Sequence, residues 1–348
     1  MAKHYFKNDY SEGCHPSILT ALAETNLAQQ DGYGDDDYSQ ESKALIRSAI
    51  DQPDATVHFV SGGTQANLLV ASAALRPYES LIAADTGHVS VHETGAVEAT
   101  GHKIETVPSS DGKLHPESIA HLLKQAGDVH STQPKMVYIS NATELGTLYS
   151  KAELTVLSSF CRENGLYLFM DGARLPVALT GRGNDLGLAE IARLVDVFYI
   201  GGTKNGALLG EAIIITHPAI KAGFAFNVKQ RGAMLAKGRL LGLQFLCLLR
   251  NDLFLQLAQR ANDLAGKIAD EIRALGFPFL VEPATNQLFP ILPNAVIREL
   301  ETACAFYIWK PLDEERAAIR LVTSWATSEE ACDAFIALLR HIAKKSLN

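Results

Sequence analysis

The residues best suited to chemistry surround Lys204, in the stretch DVFYIGGTKNGALLGEAIII that spans residues 196–215. An apolar strand predicted over residues 197–200 leads into a glycine-rich turn carrying Lys204, and a second predicted strand, 212–215, follows it. A lysine held between apolar strands is poorly solvated, and such amines form Schiff bases with carbonyl compounds. A lysine in an ordinary hairpin turn is the competing interpretation, and this stretch by itself favours it.

The segment SGGTQAN contains a second candidate feature. A strand predicted over residues 56–60 runs into it, and an apolar helix is predicted over 68–75. A strand, a glycine turn and a helix start in that order leave unpaired backbone N–H groups at the positive end of a helix dipole, which favours an anion. Ser61 and Thr64 add hydroxyl donors, whereas a plain turn capped by Thr64 is the alternative. A nucleotide P-loop is disfavoured because the segment lacks GxxxxGK[ST].

The elements that would position these residues alternate in type along the chain. Near-continuous apolar strands are predicted over 80–84, 103–107, 135–140, 167–170 and 197–200, with helices over 116–125 and 152–164. This alternation predicts an α/β fold whose mostly parallel sheet is covered on both faces. Functional sites of such sheets lie beyond the carboxyl ends of the strands.

The residues that follow those strands are unusually rich in reactive side chains. One edge of one sheet should receive six of them: His88, Asn141, Glu144, Asp171, Arg174 and Lys204. This convergence favours a functional role for the lysine over the hairpin interpretation.

An aspartate after one strand and a lysine after a later one suit pyridoxal phosphate. Asp171 would keep the pyridine nitrogen protonated, and Lys204 would form the Schiff base. Gly63, Thr64 and Gln65 would supply donors to the phosphate. His88 would stack on the ring or act as a base, although a lone histidine is more often structural.

Arg320, in the segment IRLVTSW, lies inside a predicted apolar strand and needs an anionic partner. A substrate carboxylate held by bidentate hydrogen bonds is one such partner. An ion pair within the protein is the alternative.

The rest of the chain predicts an arm, a linking helix and a second domain. Residues 1–40 are polar but carry several aromatic anchors, with a short helix over 18–29. A helix is predicted over 41–50, and helical structure over 229–275 with interruptions near Arg250 and Asn251. A small α/β domain follows, with strands over 279–281, 287–291 and 319–322 and a helix over 329–343. The predicted domains are 1–250, which includes the arm, and 251–348.

Composition excludes several classes of function. The chain has 348 residues, is 47% hydrophobic, and carries a net charge of −8 without long runs of one sign, so nucleic acid and anionic membranes are not expected partners. No signal-peptide core or membrane-spanning stretch is visible. The five cysteines form no CxxC pair, which predicts neither a metal site nor disulfides and favours the cytoplasm. No GxGxxG follows the first strand, so a Rossmann dehydrogenase is disfavoured.

Seven segments in this order resemble those of one family: YGDDDY, FVSGGTQAN, DTGHVSVHETGA, NATELGT, MDGARL, GGTKNGALLGEA and IRLVTSW. The chain resembles the pyridoxal phosphate-dependent threonine aldolases of the β-eliminating lyase superfamily, and is most similar to bacterial low-specificity L-threonine aldolases. The resemblance implies the aspartate aminotransferase fold, fold type I, with a mostly parallel seven-stranded sheet in the large domain and a small C-terminal α/β domain.

The resemblance also implies roles for single residues. Lys204 would form the Schiff base, Asp171 would pair with the pyridine nitrogen, Gly63 and Thr64 would bind phosphate, and His88 would stack on the ring.

Further residues are implied at the substrate and at a neighbouring subunit. Arg174 would lie near the cofactor's phenolic oxygen and the substrate carboxylate, which Arg320 would grip, with Asn8 nearby. Tyr38 and Arg239 would reach a neighbouring subunit's site, because family members assemble as dimers of dimers. The resemblance therefore implies a homotetramer with shared sites.

The implied reaction is retro-aldol cleavage of L-threonine, L-allo-threonine or another β-hydroxy-α-amino acid to glycine and an aldehyde. His88, His92 or an ordered water would be the base, with His88 preferred. Two departures bear on this reaction: His92 and Glu93 stand where many members have Tyr-Glu, and TKN replaces SKG around the lysine. A β-eliminating lyase acting on an amino acid with a β-leaving group is the alternative, and a non-catalytic binding protein is the alternative of another class.

Overall fold

A computed structural model describes residues 3–346 of the chain. A seven-stranded sheet forms the centre of the larger unit, with the strands in the order β2-β8-β7-β6-β5-β3-β4. β8 runs antiparallel to both its neighbours, and the remaining pairs are parallel. The strands of this sheet are β2 (Thr56–Val60), β3 (Glu79–Ala84), β4 (Ile104–Val107), β5 (Gln133–Ser140), β6 (Tyr167–Asp171), β7 (Val197–Gly201) and β8 (Glu211–Ile215).

The central strands of this sheet are buried on both faces. Every residue of β3, β7 and β8 is buried, as expected of strands covered by helices on both sides. Apolar residues of the two faces belong to two separate core clusters, one containing Ile214 and the other Ile213. The predicted α/β class and the mostly parallel seven-stranded sheet are therefore confirmed.

Helices surround this sheet and link it to the C-terminal unit. Two 3-10 helices, Glu98–Thr100 and Arg250–Asp252, supplement them. The helices are α1 (Pro16–Glu24), α2 (Asp37–Ala49), α3 (Gly63–Ala74), α4 (His88–Val91), α5 (Pro116–Gln125), α6 (Lys151–Glu163), α7 (Leu175–Leu179), α8 (Leu188–Leu194), α9 (Pro218–Lys221), α10 (Phe224–Gln230), α11 (Arg239–Leu249), α12 (Leu253–Ala274), α13 (Asn294–Leu300) and α14 (Glu329–Ser346).

The helical stretch predicted over 229–275 is interrupted twice. The interruption predicted near residues 250 and 251 is confirmed, because Asn251 and Asp252 adopt left-handed backbone angles, with φ of 57° and 55°. The chain also leaves the helix between Gln230 and Arg239, which the periodicity missed. Arg239–Ala274 is long and apolar enough to cross a membrane by length and composition alone, but many of its side chains pack into the protein core.

The C-terminal unit is built on a four-stranded antiparallel sheet. Its long strand, β13 (Arg316–Val322), pairs with β9 (Gln287–Leu288), β10 (Ile291–Pro293) and β12 (Tyr307–Pro311). The strand predicted over 287–291 is split between β9 and β10 around Pro290, which has no N–H to donate to a ladder. The strand predicted over 279–281 is reduced to one bridge between Phe279 and Pro290. β12 was missed because four of its five residues are exposed and give no apolar pattern.

The amino-terminal arm packs against the C-terminal unit. β1 (His4–Tyr5) pairs in parallel with β11 (Cys304–Ala305). Phe6 is fully buried, and its ring meets that of Phe335 edge-to-face with a centroid separation of 5.6 Å. The arm was predicted to belong to the domain spanning 1–250, and that boundary stays a prediction. The packing shows that the arm is anchored by aromatic burial, as its aromatic residues indicate.

The carboxyl ends of β6 and β7 approach each other closely at a glycine. A Cβ added to Gly172 would lie 1.6 Å from the backbone oxygen of Tyr199. No side chain fits there, because a backbone carbonyl cannot rotate away as a flexible side chain can. Gly172 therefore sets the distance between the two strand ends that carry Asp171 and Lys204.

We expect Gly172→Ala to lower the free energy of unfolding by about 1–3 kcal/mol or to prevent folding, because the added methyl overpacks this contact. Urea denaturation followed by circular dichroism measures the effect. Gly266→Ala is the control: this glycine lies within α12 with nothing within 4 Å of an added Cβ, so alanine should raise stability by about 0.5–1 kcal/mol. Equal unfolding midpoints for the two variants would contradict the packing argument.

Candidate active site

A cavity of about 630 Å³ opens at the carboxyl ends of the central strands, between the large sheet and the C-terminal unit. Its volume is within the range of small-molecule sites. Ten of the residues singled out from the sequence line it: Ser61, Gly63, Thr64, His88, His92, Glu144, Asp171, Arg174, Lys204 and Arg320. The structure therefore brings these side chains to one place, while their individual roles stay predictions.

Lys204 lies in the turn between β7 and β8, next to a carboxyl that the sequence analysis did not single out. Glu211, the first residue of β8, is buried and accepts a hydrogen bond from the Gly202 backbone N–H at 3.0 Å. Burial and the positive charge of Arg174 lower the pKa of the Lys204 amine. Burial also raises the pKa of the Glu211 carboxyl, against the pull of Lys204. An amine with a lowered pKa is a better nucleophile at neutral pH.

Asp171 ends β6 and is buried, with hydrogen bonds to both carboxylate oxygens. Oδ2 accepts from the Tyr138 hydroxyl at 2.5 Å and from the Asn67 amide at 3.3 Å, and Oδ1 accepts from the Ala173 backbone N–H at 2.9 Å. Burial acts to raise the pKa of Asp171, but the hydroxyls of Tyr138 and Tyr199, the Ala173 N–H and the charge of Lys204 outweigh it and lower the pKa. Asp171 is therefore a buried carboxylate that keeps its charge.

His88 begins α4 and is held by a carboxylate on the same loop. Its Nδ1 lies 2.7 Å from Oε1 of Glu93, which is buried. The same Glu93 oxygen accepts a 2.7 Å hydrogen bond from the Asn67 amide, which also reaches Asp171. One chain of hydrogen bonds therefore ties the orientation of the His88 ring to that of the Asp171 carboxylate across the cavity.

The start of α3 forms the predicted anion end of the cavity. Gly62, Gly63 and Thr64 line it, and no side chain caps the first turn of this 12-residue helix. Its first N–H groups are therefore available to an anion. Gln65 does not line the cavity; its Oε1 accepts hydrogen bonds from the Ser61 backbone N–H and hydroxyl instead.

Arg174 is engaged by the amino-terminal arm. Its Nε and Nη2 donate to the two oxygens of Asp9 at 2.8 and 2.9 Å. Asp9 is buried and also accepts a 3.0 Å hydrogen bond from the Asn286 amide. Burial acts to raise the pKa of Asp9, but the charges of Arg174 and Lys204 and these hydrogen bonds hold it at about 2. The arm thereby supplies the counter-charge for two cations of the cavity.

Arg320 projects from β13 of the C-terminal unit. Among residues 3–346 it forms no ion pair: Nη2 donates to Oε1 of Gln287 at 2.6 Å, while Nε is buried without a partner. Its guanidinium lies over the Trp309 ring, 5.6 Å from the centroid. Burial and the charge of Arg174 lower the pKa of Arg320 to about 10. The ion pair considered from the sequence is therefore not what satisfies this arginine.

Comparison with known proteins places the chain in a family. A family model described as beta-eliminating lyase matches residues 10–294. The chain belongs to the β-eliminating lyase family. The low specificity L-threonine aldolase of Pseudomonas aeruginosa is 33% identical over 297 residues, which cover 85% of this chain and 84% of that protein. The predicted family resemblance is confirmed.

Solved structures agree with this assignment. The threonine aldolase of Leishmania major is 48% identical, with a TM-score of 0.96 over 98% of this chain and 99% of that one. Aspartate aminotransferase from Thermus thermophilus is 17% identical, with a TM-score of 0.71 over 98% of this chain and 91% of that one, so it is similar in fold alone. The predicted aspartate aminotransferase-like fold is confirmed.

Besides Gln65, three predicted site residues lie outside the cavity of this chain: Asn8, Tyr38 and Arg239. Asn8 accepts hydrogen bonds from Tyr10 and Ser11 in a local turn of the arm. Arg239 lies over the Tyr38 ring, 5.1 Å from the centroid, and donates to backbone carbonyls before α2. The predicted role of Tyr38 and Arg239 at a neighbouring subunit's site stays a prediction.

The sequence analysis missed several polar residues around the cavity. Asp9 and Asn67 lie far from their partners in sequence, so no spacing pattern links them to Arg174 and Asp171. Glu211 did carry a signal, because it is a carboxyl at the start of an otherwise wholly apolar buried strand.

We expect Asp9→Asn to lower the free energy of unfolding at neutral pH by about 3–5 kcal/mol, because it leaves the Arg174 charge buried without a counter-charge. The folded pKa of Asp9, about 2, lies below its unfolded value of about 3.9, so its contribution is complete above about pH 4 and is lost as the pH falls towards 2. The stability difference between wild type and variant should shrink over that window.

Urea denaturation at a series of pH values measures this difference. Asp270→Asn is the control, because its ion pair with Arg273 is solvent-exposed and should contribute little at any pH. A wild-type to Asp9→Asn difference that stays constant from neutral pH to about pH 2 would show that the Asp9 charge is not what stabilises the fold.

Proposed function

We propose that this protein is a carbon-carbon lyase that uses pyridoxal phosphate to cleave L-threonine and L-allo-threonine to glycine and acetaldehyde. The observation that carries the proposal is the meeting, in one cavity, of Lys204, the charged Asp171 and an Arg320 without a protein counter-ion. The names of the Pseudomonas and Leishmania relatives support it.

The residues of the cavity fit pyridoxal phosphate. A lysine amine, a carboxylate that stays charged and an uncapped helix start match the aldehyde, the pyridine nitrogen and the phosphate of that cofactor. A Cβ added to Gly63 would lie 3.0 Å from the Tyr199 hydroxyl, so the absence of a side chain at position 63 keeps the helix start open beside that ring.

Four groups of residues would hold the cofactor. Lys204 would bond the aldehyde, Asp171 would accept the pyridinium N–H, and His88 would stack on the ring. Gly63 and Thr64 would donate to the phosphate. When bound, the cofactor supplies an electron sink for the pair left on the substrate Cα.

Other residues of the cavity would orient the substrate. Arg320, with Nε unpartnered, would take the substrate carboxylate bidentately, which fixes rotation about the bond to Cα. The Trp309 ring beneath the guanidinium and the hydrogen bond that Arg320 donates to Gln287 hold Arg320 in place for this contact. A base then removes the β-hydroxyl proton; His88 is the base predicted from the sequence.

We further propose that the site is shared in a homotetramer located in the cytoplasm. The Tyr38 and Arg239 pair lies outside this chain's own cavity, in a region with exposed apolar side chains. Leu27, which precedes the Ala28 carbonyl that accepts a hydrogen bond from Arg239, is 91% exposed, and Tyr33, which lies against Gly238, is 52% exposed. These exposed side chains support a contact with a neighbouring subunit.

We expect purified protein supplied with pyridoxal phosphate to absorb visible light, because the cofactor is bonded to Lys204. We also expect it to release acetaldehyde from L-threonine and L-allo-threonine. Lys204→Ala should lose both signals, whereas Lys124→Ala, on the exposed surface of α5, should keep them. A coupled alcohol dehydrogenase assay measures the aldehyde, with phenylserine as a third substrate. Release of pyruvate and ammonia without any aldehyde would indicate the β-eliminating lyase instead.

We expect Arg320→Gln to lower kcat/KM for L-threonine roughly 10- to 100-fold, mainly through KM, because a charged hydrogen-bonded contact contributes about 1.5–3 kcal/mol. Arg316→Gln is the matched control, since this arginine lies on the same strand but pairs with Asp313 at the surface. Steady-state kinetics measures both. An unchanged KM in Arg320→Gln would assign the substrate carboxylate to another cation.

A further inference from the structure

We propose that Glu144 accepts the β-hydroxyl proton of the substrate and then releases it to water. The inference rests on the proposed function, because it assigns a residue to one step of that reaction. It differs from the sequence-based prediction, which gives this step to His88, to His92 or to water.

The position of Glu144 carries the proposal. Glu144 follows β5, lines the cavity, and uses only one carboxylate oxygen for the fold. Oε1 accepts hydrogen bonds from the His88 backbone N–H at 2.9 Å and from the Ser140 hydroxyl at 2.8 Å. Oε2 has no hydrogen-bond partner among the described residues, and it is accessible to solvent. One oxygen therefore fixes the side chain, and the other is free to meet a substrate.

The electrostatics of the cavity separate its two central carboxyls. Burial and the negative charge of Asp171 raise the pKa of Glu144, whereas hydrogen bonds keep the pKa of Asp171 below its ordinary value. Two carboxyls whose surroundings move their pKa values apart take different roles, one as a fixed charge and one as a proton carrier. A carboxylate with a raised pKa is also a stronger base at neutral pH.

Groups on the neighbouring elements change the pKa of Glu144. Asp171 from β6 raises the pKa of Glu144, while the Ser140 hydroxyl and the His88 N–H lower it. The other titratable groups that interact electrostatically with it are Arg174, Tyr138 and Tyr149.

The two histidines are less well placed for the proton. His88 is committed through Nδ1 to Glu93 and, by its predicted role, through its ring face to the cofactor. Burial and the charges of His88 and Arg320 lower the pKa of His92, which weakens it as a base. Glu144 combines a free oxygen at the cavity with a raised pKa.

The step balances without another reactant. The hydroxyl O–H bond breaks, its proton goes to Oε2 of Glu144, and its electron pair forms the C=O bond of the aldehyde. The Cα–Cβ bond breaks at the same time, and its electron pair stays on Cα. The Glu144 carboxyl then releases this proton to water, and the electron pair on Cα takes up a proton that also comes from water, so the residue is a carboxylate again when glycine leaves.

Glu144→Gln tests the proposal, because the amide keeps an oxygen that can accept the His88 and Ser140 hydrogen bonds but cannot take a proton. We expect acetaldehyde release to fall about 10²- to 10⁴-fold, the usual contribution of a general base. Exchange of the glycine α-proton in D₂O, followed by NMR, breaks no Cα–Cβ bond and should stay near the wild-type rate. It also shows that the site is intact.

A direct titration provides a readout that does not depend on turnover. The infrared carboxyl band of a protonated Glu144 should appear as the pH falls and should be missing from Glu144→Gln. In Ser140→Ala, loss of a donor to the carboxylate should raise the pKa, so this band and the rising limb of the rate against pH should both move to higher pH.

Full cleavage activity in Glu144→Gln would overturn the proposal. An infrared carboxyl band and a pH–rate limb that respond to neither substitution would overturn it as well. Either result would make a histidine the candidate base again. Parallel loss of cleavage and glycine exchange in Glu144→Gln would also overturn it, since that result indicates a role in holding the site. A wild-type protein that releases no aldehyde would instead overturn the proposed function.

Discussion

The pairing of buried charges around Lys204 is the constraint on which the rest of the site depends. Lys204, Arg174 and Arg320 bring three cations into one partly desolvated cavity, and such charges are costly unless opposite charges accompany them. Asp9 and Asp171 are the buried carboxylates that compensate them, whereas burial raises the pKa of the third buried carboxyl, Glu211. Burial lowers the pKa of the lysine, while the carboxyls limit that fall. The reactivity and the stability of the site therefore have the same electrostatic origin.

This charge balance also joins distant parts of the chain. Asp9 comes from an arm that is anchored to the C-terminal unit through β1 and Phe6, whereas Arg174 follows the central strand β6. Arg320 and Trp309 come from the C-terminal sheet. The cavity is complete only when the arm, the large sheet and the C-terminal sheet are all in place. Binding of substrate between Arg320 and the large sheet would thus add one more contact across the same junction.

The hydrogen-bond chain from His88 through Glu93 and Asn67 to Asp171 orients two sides of the cavity together. A planar group bound between His88 and Asp171 needs both in fixed orientation, and buried side chains that are mutually hydrogen-bonded supply it. Glu144 is also fixed by hydrogen bonds. Its Oε1 accepts from Ser140 of β5 and His88 of α4, which leaves Oε2 free for proton transfer.

The sequence by itself determined the sheet, the strand ends and the reactive residues on them. Buried parallel strands have a local signature, so the positions of Asp171, Lys204 and the glycine turn before α3 could be predicted from short stretches of chain. Only the tertiary structure decided which partners complete them: Asp9 is 165 residues from Arg174, and Asn67 is 104 residues from Asp171. No local periodicity encodes such contacts, because they follow from how the arm and the strands pack. The same packing left Arg320 without a counter-ion among residues 3–346, and it pushed apart the pKa values of Asp171 and Glu144, which the sequence presents alike.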